Sequence, residues 1–69
     1  MLDPKDLKKG SYYRNNFNYY EYTGNFSADG KLYQFINLVT REYHMVVSTA
    51  WFWVHIREFD KTLWDLLYE

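Results

Sequence analysis

Short runs rich in apolar and aromatic residues occupy most of the chain between Gly10 and Ile56, some of them alternating with polar residues, and polar segments separate the runs. In residues 20–23, for example, tyrosines alternate with Glu21 and Thr23. Because successive side chains of a strand point to opposite faces of a sheet, a period of two indicates β-structure. We predict five short strands, near residues 11–14, 19–25, 31–39, 43–48 and 50–56.

Turn-forming residues separate these segments. The clearest is Ser27-Ala28-Asp29-Gly30, since Asp-Gly between apolar runs is a preferred sequence of tight hairpins. Residues 15–18 are rich in asparagine, which tolerates left-handed backbone angles. Residues 40–42 form a weaker turn signal. The first four strands are therefore expected to be joined by hairpins.

Residues 50–56 fit two structures. As a strand, the segment places Trp51, Trp53 and His55 on one face. As a helix, it begins at a Ser48 or Thr49 cap and runs from Trp51 to Phe59. Aromatic and β-branched residues dominate, so we favour the strand. A strand that carries large apolar residues on both faces and is covered on only one side exposes an aromatic patch.

The two ends of the chain are expected to be helical. In residues 2–9, Asp3 is the expected N-terminal cap of a helical turn and Pro4 its first residue, and Gly10 ends the turn. Residues 60–69 carry a leucine stripe at helical spacing, formed by Leu63, Leu66 and Leu67.

Such a stripe ordinarily packs on the sheet of its own domain. Trp64 lies beside the stripe and is therefore a candidate for exposure. The alternative is that the Leu-x-x-Leu-Leu pattern at residues 63–67 docks into a groove of another protein.

These elements predict a mainly β single domain over residues 1–69. The expected architecture is a small barrel or a curled antiparallel sheet of four or five strands, with a short C-terminal helix. The order of Leu7–Tyr13, Tyr20–Gly24 and the Asp29-Gly30 hairpin resembles that of SH3-like small barrels over about residues 7–58. Such barrels bind peptides, proteins and nucleic acids, so the resemblance leaves the function open.

Composition changes this picture in one respect, because aromatic residues make up 23% of the 69 residues while cysteine is absent. A chain this short buries a limited core, and without disulfides the usual supplement is a partner subunit. Tyr and Trp are enriched at protein interfaces. We therefore expect self-association, with a homodimer favoured, and contact with another protein.

The residues that we expect to contact a protein partner are the three tryptophans and two tyrosines of the second strand: Trp51, Trp53, Trp64, Tyr20 and Tyr22. The short, cysteine-free, Tyr- and Asn-rich chain also resembles in type the small accessory proteins of bacteriophages, many of which inhibit a host enzyme or a host defence system. That resemblance implies an inhibitor of a host or anti-phage defence protein.

Nucleic-acid binding is the second hypothesis. Tyrosines interleaved with Arg14, Lys31 and Arg41 are able to stack unpaired bases if the cations cluster. A net charge of −1 and the absence of a basic run weigh against it. A third hypothesis is a structural subunit of a larger assembly.

Catalysis and cofactor binding have little support in the sequence. There is no cysteine nucleophile, no Gly-x-Ser-x-Gly motif and no glycine-rich phosphate loop. His44 and His55 are too few for a closed zinc site. We expect no enzyme activity, no cofactor and no metal. The chain has no apolar signal segment, and its most apolar stretch is shorter than the about 20 residues that span a membrane, so a cytoplasmic location is expected.

Overall fold

A computed structural model describes residues 2–68. In chain order it contains a 3-10 turn at Pro4–Asp6, β1 at Tyr12–Asn15, β2 at Asn18–Phe26, β3 at Leu32–Asn37, β4 at Tyr43–Val47, α1 at Phe52–His55, β5 at Ile56–Phe59 and α2 at Lys61–Tyr68. The 3-10 turn follows the predicted cap, because the Asp3 carboxylate accepts a hydrogen bond from the Lys5 amide.

The five strands form one antiparallel sheet in the order β4-β3-β2-β1-β5. The predicted mainly β fold is confirmed. Of the two predicted architectures, a small barrel or a curled sheet, the structure is the curled sheet with a short C-terminal helix. The sheet does not close into a barrel, because β4 and β5 lie at its two edges and do not pair with each other.

The predicted hairpin turns join the first four strands. At the β2–β3 turn, Gly30 has φ +72°, and the Lys31 amide donates to the Asp29 carboxylate at 3.0 Å. The Ser27 hydroxyl also donates to that carboxylate, and these hydrogen bonds lower the pKa of Asp29. At the β1–β2 turn, Asn16 adopts a φ of +53°. The local sequence therefore forms the turns that its residues favour.

Our favoured prediction of a strand at residues 50–56 was wrong, and the alternative helix from Trp51 to Phe59 is right only for residues 52–55. The chain turns into the short helix α1 after Ala50, and the fifth strand begins only at Ile56. Two hydrogen bonds close the turn, from the Ala50 amide to the Val47 carbonyl and from the Val54 amide to the Trp51 carbonyl. The short helix carries the chain across one face of the sheet, so that β5 pairs with β1 at the edge opposite β4.

Each face of the sheet has its own hydrophobic cluster. The inner face is covered by α1 and by Leu2 and Leu7 of the N-terminal segment; its buried residues are Tyr13, Tyr20, Tyr22, Tyr33, Phe35, Val46, Trp53 and Ile56. The outer face carries a smaller cluster in which Tyr12, Leu38 and Trp64 are buried. The helix α2 therefore covers only part of the outer face.

The structure reverses the expected orientation of the C-terminal helix. Trp64 is 8% exposed and packs against the rings of Tyr12 and Tyr19, at centroid distances of 6.4 and 4.9 Å. The leucine stripe, defined as Leu63, Leu66 and Leu67, is exposed instead. A single tryptophan covers more area than one leucine, and the neighbouring aromatic rings provide matching contacts for it. Glu69, which the predicted helix included, lies outside the described residues.

Candidate functional site

The helix α1 is held firmly on its inner side. The Trp53 indole donates to the Val47 carbonyl at 2.8 Å, which fixes the helix to the end of β4. The Asn15 side-chain amide donates to the Phe52 carbonyl at 2.7 Å, which fixes it to β1. The Phe52 ring lies 5.2 Å from the ring of Phe35 in the inner cluster. These contacts give the outer side of α1 a defined position.

The outer side of α1 presents what we call the Trp51 surface, formed by Trp51, Val54 and His55. The Trp51 side chain is 78% exposed, and its ring stacks on the His55 imidazole at 6.5 Å with an interplanar angle of 17°. Val54 is 44% exposed. Beside this surface lies a groove of about 430 Å³ between the N-terminal segment and the turn that precedes α1.

Trp51 is the one member of the predicted contact set that is exposed. Trp53, Trp64, Tyr20 and Tyr22 are all buried. The strand interpretation placed Trp51 and Trp53 on the same side, but a helix turns them about 200° apart, so one enters the core and the other faces outward.

The two tyrosines of β2 belong to the inner cluster. Burial raises the pKa of the Tyr20 phenol. Burial also raises the pKa of Tyr22, and the neighbouring Tyr33 and Tyr13 add to the effect. Both hydroxyls therefore stay neutral to a higher pH than a free tyrosine does. Their position makes them core residues, since only 6% of Tyr20 and 5% of Tyr22 is exposed.

The three cations of the nucleic-acid hypothesis do not come together. Arg14 lies on the outer face of β1, where its pairing partner across the strands is Arg57 of β5. Arg41 lies in the β3–β4 turn with φ +64°. Lys31 precedes β3, at the opposite end of that strand. No continuous basic path therefore connects Arg14, Lys31 and Arg41.

Sequence reasoning missed a second exposed apolar surface. We call it the open half of the outer face: Leu32, Ile36, Tyr43, Met45 and Val47, on β3 and β4. The alternation in these strands indicated that one side faces the core, and the buried residues Tyr33, Phe35 and Val46 confirm this. What the pattern did not reveal is that the second, equally apolar side has no cover.

The edge strand β4 adds to this surface. It contains no charged residue, whereas β5 at the other edge contains Arg57 and Glu58. Charged side chains on an edge strand discourage pairing with another chain, and an uncharged edge permits it. The two edges thus differ in their capacity for association.

Within residues 2–68 there is no group of three or more His, Asp or Glu side chains that is able to hold a metal ion. None of the helices in that range is long and apolar enough to cross a membrane. Comparison of the chain with protein-family models, with curated proteins and with solved structures gives no match.

Proposed function

We propose that the chain is a non-enzymatic protein-binding module whose contact residue is Trp51. In its most concrete form, it is an inhibitor of the bacteriophage type that occupies the surface of a host or anti-phage defence protein. The observation that carries the proposal is a tryptophan with 78% of its surface exposed on a helix whose other side is anchored in the core.

Exposure of a large ring on a rigid support is what a binding anchor requires. Tryptophan is enriched among the interface residues whose truncation to alanine weakens binding most, typically by about 2 kcal/mol or more of binding free energy. A support that is already ordered lowers the entropy lost on binding. The His55 ring lies nearly parallel to the indole, at a centroid distance of 6.5 Å. Within residues 2–68, the Trp51 ring has one aromatic partner, His55.

The first experiment is a pull-down of the tagged protein from a nuclease-treated bacterial lysate, read by mass spectrometry. The variants are Trp51→Ala and, as a matched control, Phe17→Ala, since Phe17 is 94% exposed in the β1–β2 turn. We expect one stoichiometric host protein that is lost with Trp51→Ala and kept with Phe17→Ala. Titration of the purified partner should then show at least about 30-fold weaker binding for Trp51→Ala.

Other outcomes favour the other hypotheses. A partner that binds Trp51→Ala with full affinity contradicts the assignment of this surface. Recovery of nucleic acid when nuclease is omitted, with binding that weakens steeply with salt, supports the nucleic-acid hypothesis. Recovery of the chain alone supports a structural subunit.

A further inference from the structure

The open half of the outer face is a flat apolar surface made by three cross-strand pairs. Leu32 pairs with Val47, Gln34 with Met45, and Ile36 with Tyr43. Of these residues Tyr43 is 68% exposed, Met45 51%, Val47 47% and Leu32 38%. Contiguous apolar surface of this kind usually marks a contact with another molecule.

Gln34 of β3 lies among the residues of the open half, and its side-chain oxygen is hydrogen-bonded within the chain. The Gln34 side-chain oxygen accepts hydrogen bonds from the Thr23 hydroxyl and from the Asn25 side-chain amide, both at 2.9 Å. Covering this surface therefore leaves that oxygen hydrogen-bonded, which lowers the cost of burying the acceptor of Gln34.

The second unpartnered surface is the leucine stripe of α2. Leu66 is 74% exposed, Leu67 63% and Leu63 47%. On an α-helix, Leu66 lies about 200° from Trp64, which faces the sheet. Leu66 therefore points away from the sheet of its own chain, and the other two leucines occupy one flank of the helix.

These two surfaces are placed so that a twofold axis brings each of them against the other. Both lie on the outer side of the sheet, α2 over the β1 half through its contacts with Tyr12 and Tyr19, and the open half over β3 and β4. A half-turn about an axis parallel to the strands brings a second outer face against the first. The helix of each copy then lies over the open half of the other, and the two helices fill one layer about 10 Å thick.

The area is adequate for a stable dimer. Complete burial of the exposed side chains of the open half and of the leucine stripe would remove roughly 700 Å² per chain from solvent. This upper limit lies just below the roughly 800 Å² per partner of a standard-size interface. The arrangement is isologous, so each chain supplies both halves of the contact, as a closed dimer requires. The leucine stripe contains no ionisable side chain and the open half contains one, Tyr43, while Glu21 of β2 lies on the outer face between Tyr12 and Ile36.

We propose that a second copy of this chain covers the outer face, with α2 of each copy packed on the open half of its partner. The Trp51 surface lies on the opposite side of the sheet in both copies, because α1 packs on the inner face. The dimer does not depend on the proposed binding role of Trp51. It presents two Trp51 surfaces, which face in opposite directions.

Sedimentation equilibrium of the purified protein alone tests the dimer. We expect twice the chain mass at micromolar concentrations. Met45→Glu and Leu66→Glu each place a charge in one of the two surfaces, and each should weaken dimerisation at least about tenfold. The matched control is Phe17→Glu, which introduces the same charge at a site outside both surfaces and should leave the dimer intact. Circular dichroism checks that each variant is folded.

A mixing experiment sharpens the test. Leu66→Lys should also be monomeric alone, and an equimolar mixture of Met45→Glu with Leu66→Lys should form a heterodimer, because one interface then pairs opposite charges and the other stays apolar. A wild-type chain that is monomeric at all concentrations overturns the proposal. So does a dimer that is weakened by Met45→Glu but not by Leu66→Glu, since that result indicates pairing through the β4 edge alone.

Discussion

The inner and outer faces of the sheet carry similar side chains but are covered differently. Adjacent residues of β1 show this, since Tyr13 is fully buried in the inner cluster while Tyr12 is 9% exposed in the smaller outer cluster. The inner face is covered by α1 and the N-terminal segment. The outer face is covered only around Trp64, and its β3–β4 half is open.

This difference shows that the length and anchoring of the covering segment decide burial as much as the apolar pattern does. The short helix α1 is tied to the sheet by hydrogen bonds to Val47 and from Asn15. The helix α2 is terminal and has one buried residue, Trp64. A helix of eight residues is about 12 Å long and cannot cover a five-stranded sheet.

Removal of a ring from the inner face should have the largest effect. Phe35 is fully buried and contacts the rings of Tyr13, Tyr20, Tyr22, Phe52 and Trp53. Phe35→Ala should lower the free energy of unfolding by about 3–5 kcal/mol. If that variant does not fold, Phe35→Leu should show a loss of about 1–2 kcal/mol. Chemical denaturation measures both, and an effect below 1 kcal/mol for Phe35→Ala contradicts the inner-face assignment.

Removal of the Trp64 ring from the outer cluster should lower the free energy of unfolding by less. Trp64→Ala is expected to lower stability by about 2–3 kcal/mol, because the outer cluster is smaller than the inner one and α2 is able to detach without opening the inner cluster. The helical part of the circular dichroism spectrum should fall while the sheet is retained. Phe17→Ala, in the exposed β1–β2 turn, is the control. Loss of the whole fold with Trp64→Ala would show that the two faces are not independent.

High pH should destabilise the inner cluster, and this effect should be smaller than those of the two substitutions above. The pKa values of Tyr20 and Tyr22 are raised above the ordinary 10.0 by burial. Their contribution to stability is therefore complete below pH 10, and it is lost as the pH rises through the higher folded-state values. Unfolding free energies measured against pH should show a decline that begins near pH 10 and that is smaller in Tyr22→Phe. A decline that is equally steep in Tyr22→Phe would contradict the explanation by burial.

Local sequence predicted the first four strands and their hairpins well. The Asp29-Gly30 turn, the asparagine turn and the Asp3 cap all formed as expected, because each depends on residues within a few positions of one another. The segment at residues 50–56 was misassigned, since its aromatic residues fit either structure and the decision rested on distant contacts with Val47 and Asn15.

The candidate site was predictable only in part. Trp51 was identified from composition and is exposed, but Trp53, Tyr20 and Tyr22 are core residues, because aromatic residues serve cores and interfaces alike. The leucine stripe and Trp64 exchanged their expected roles. No pattern in the last ten residues distinguishes these two orientations, since both put an apolar side chain toward the sheet.

By itself the sequence determined the strand periodicity, the tight turns and the surplus of rings, because these follow from covalent geometry and neighbouring residues. The tertiary structure decided which rings are buried, which edge of the sheet is uncharged, and which half of the outer face is left open. The physical reason is that both sides of the strands are apolar, so burial depends on where the two short helices come to rest. That position is set by contacts such as Trp53 with Val47 and Trp64 with Tyr12, which join residues far apart in the chain.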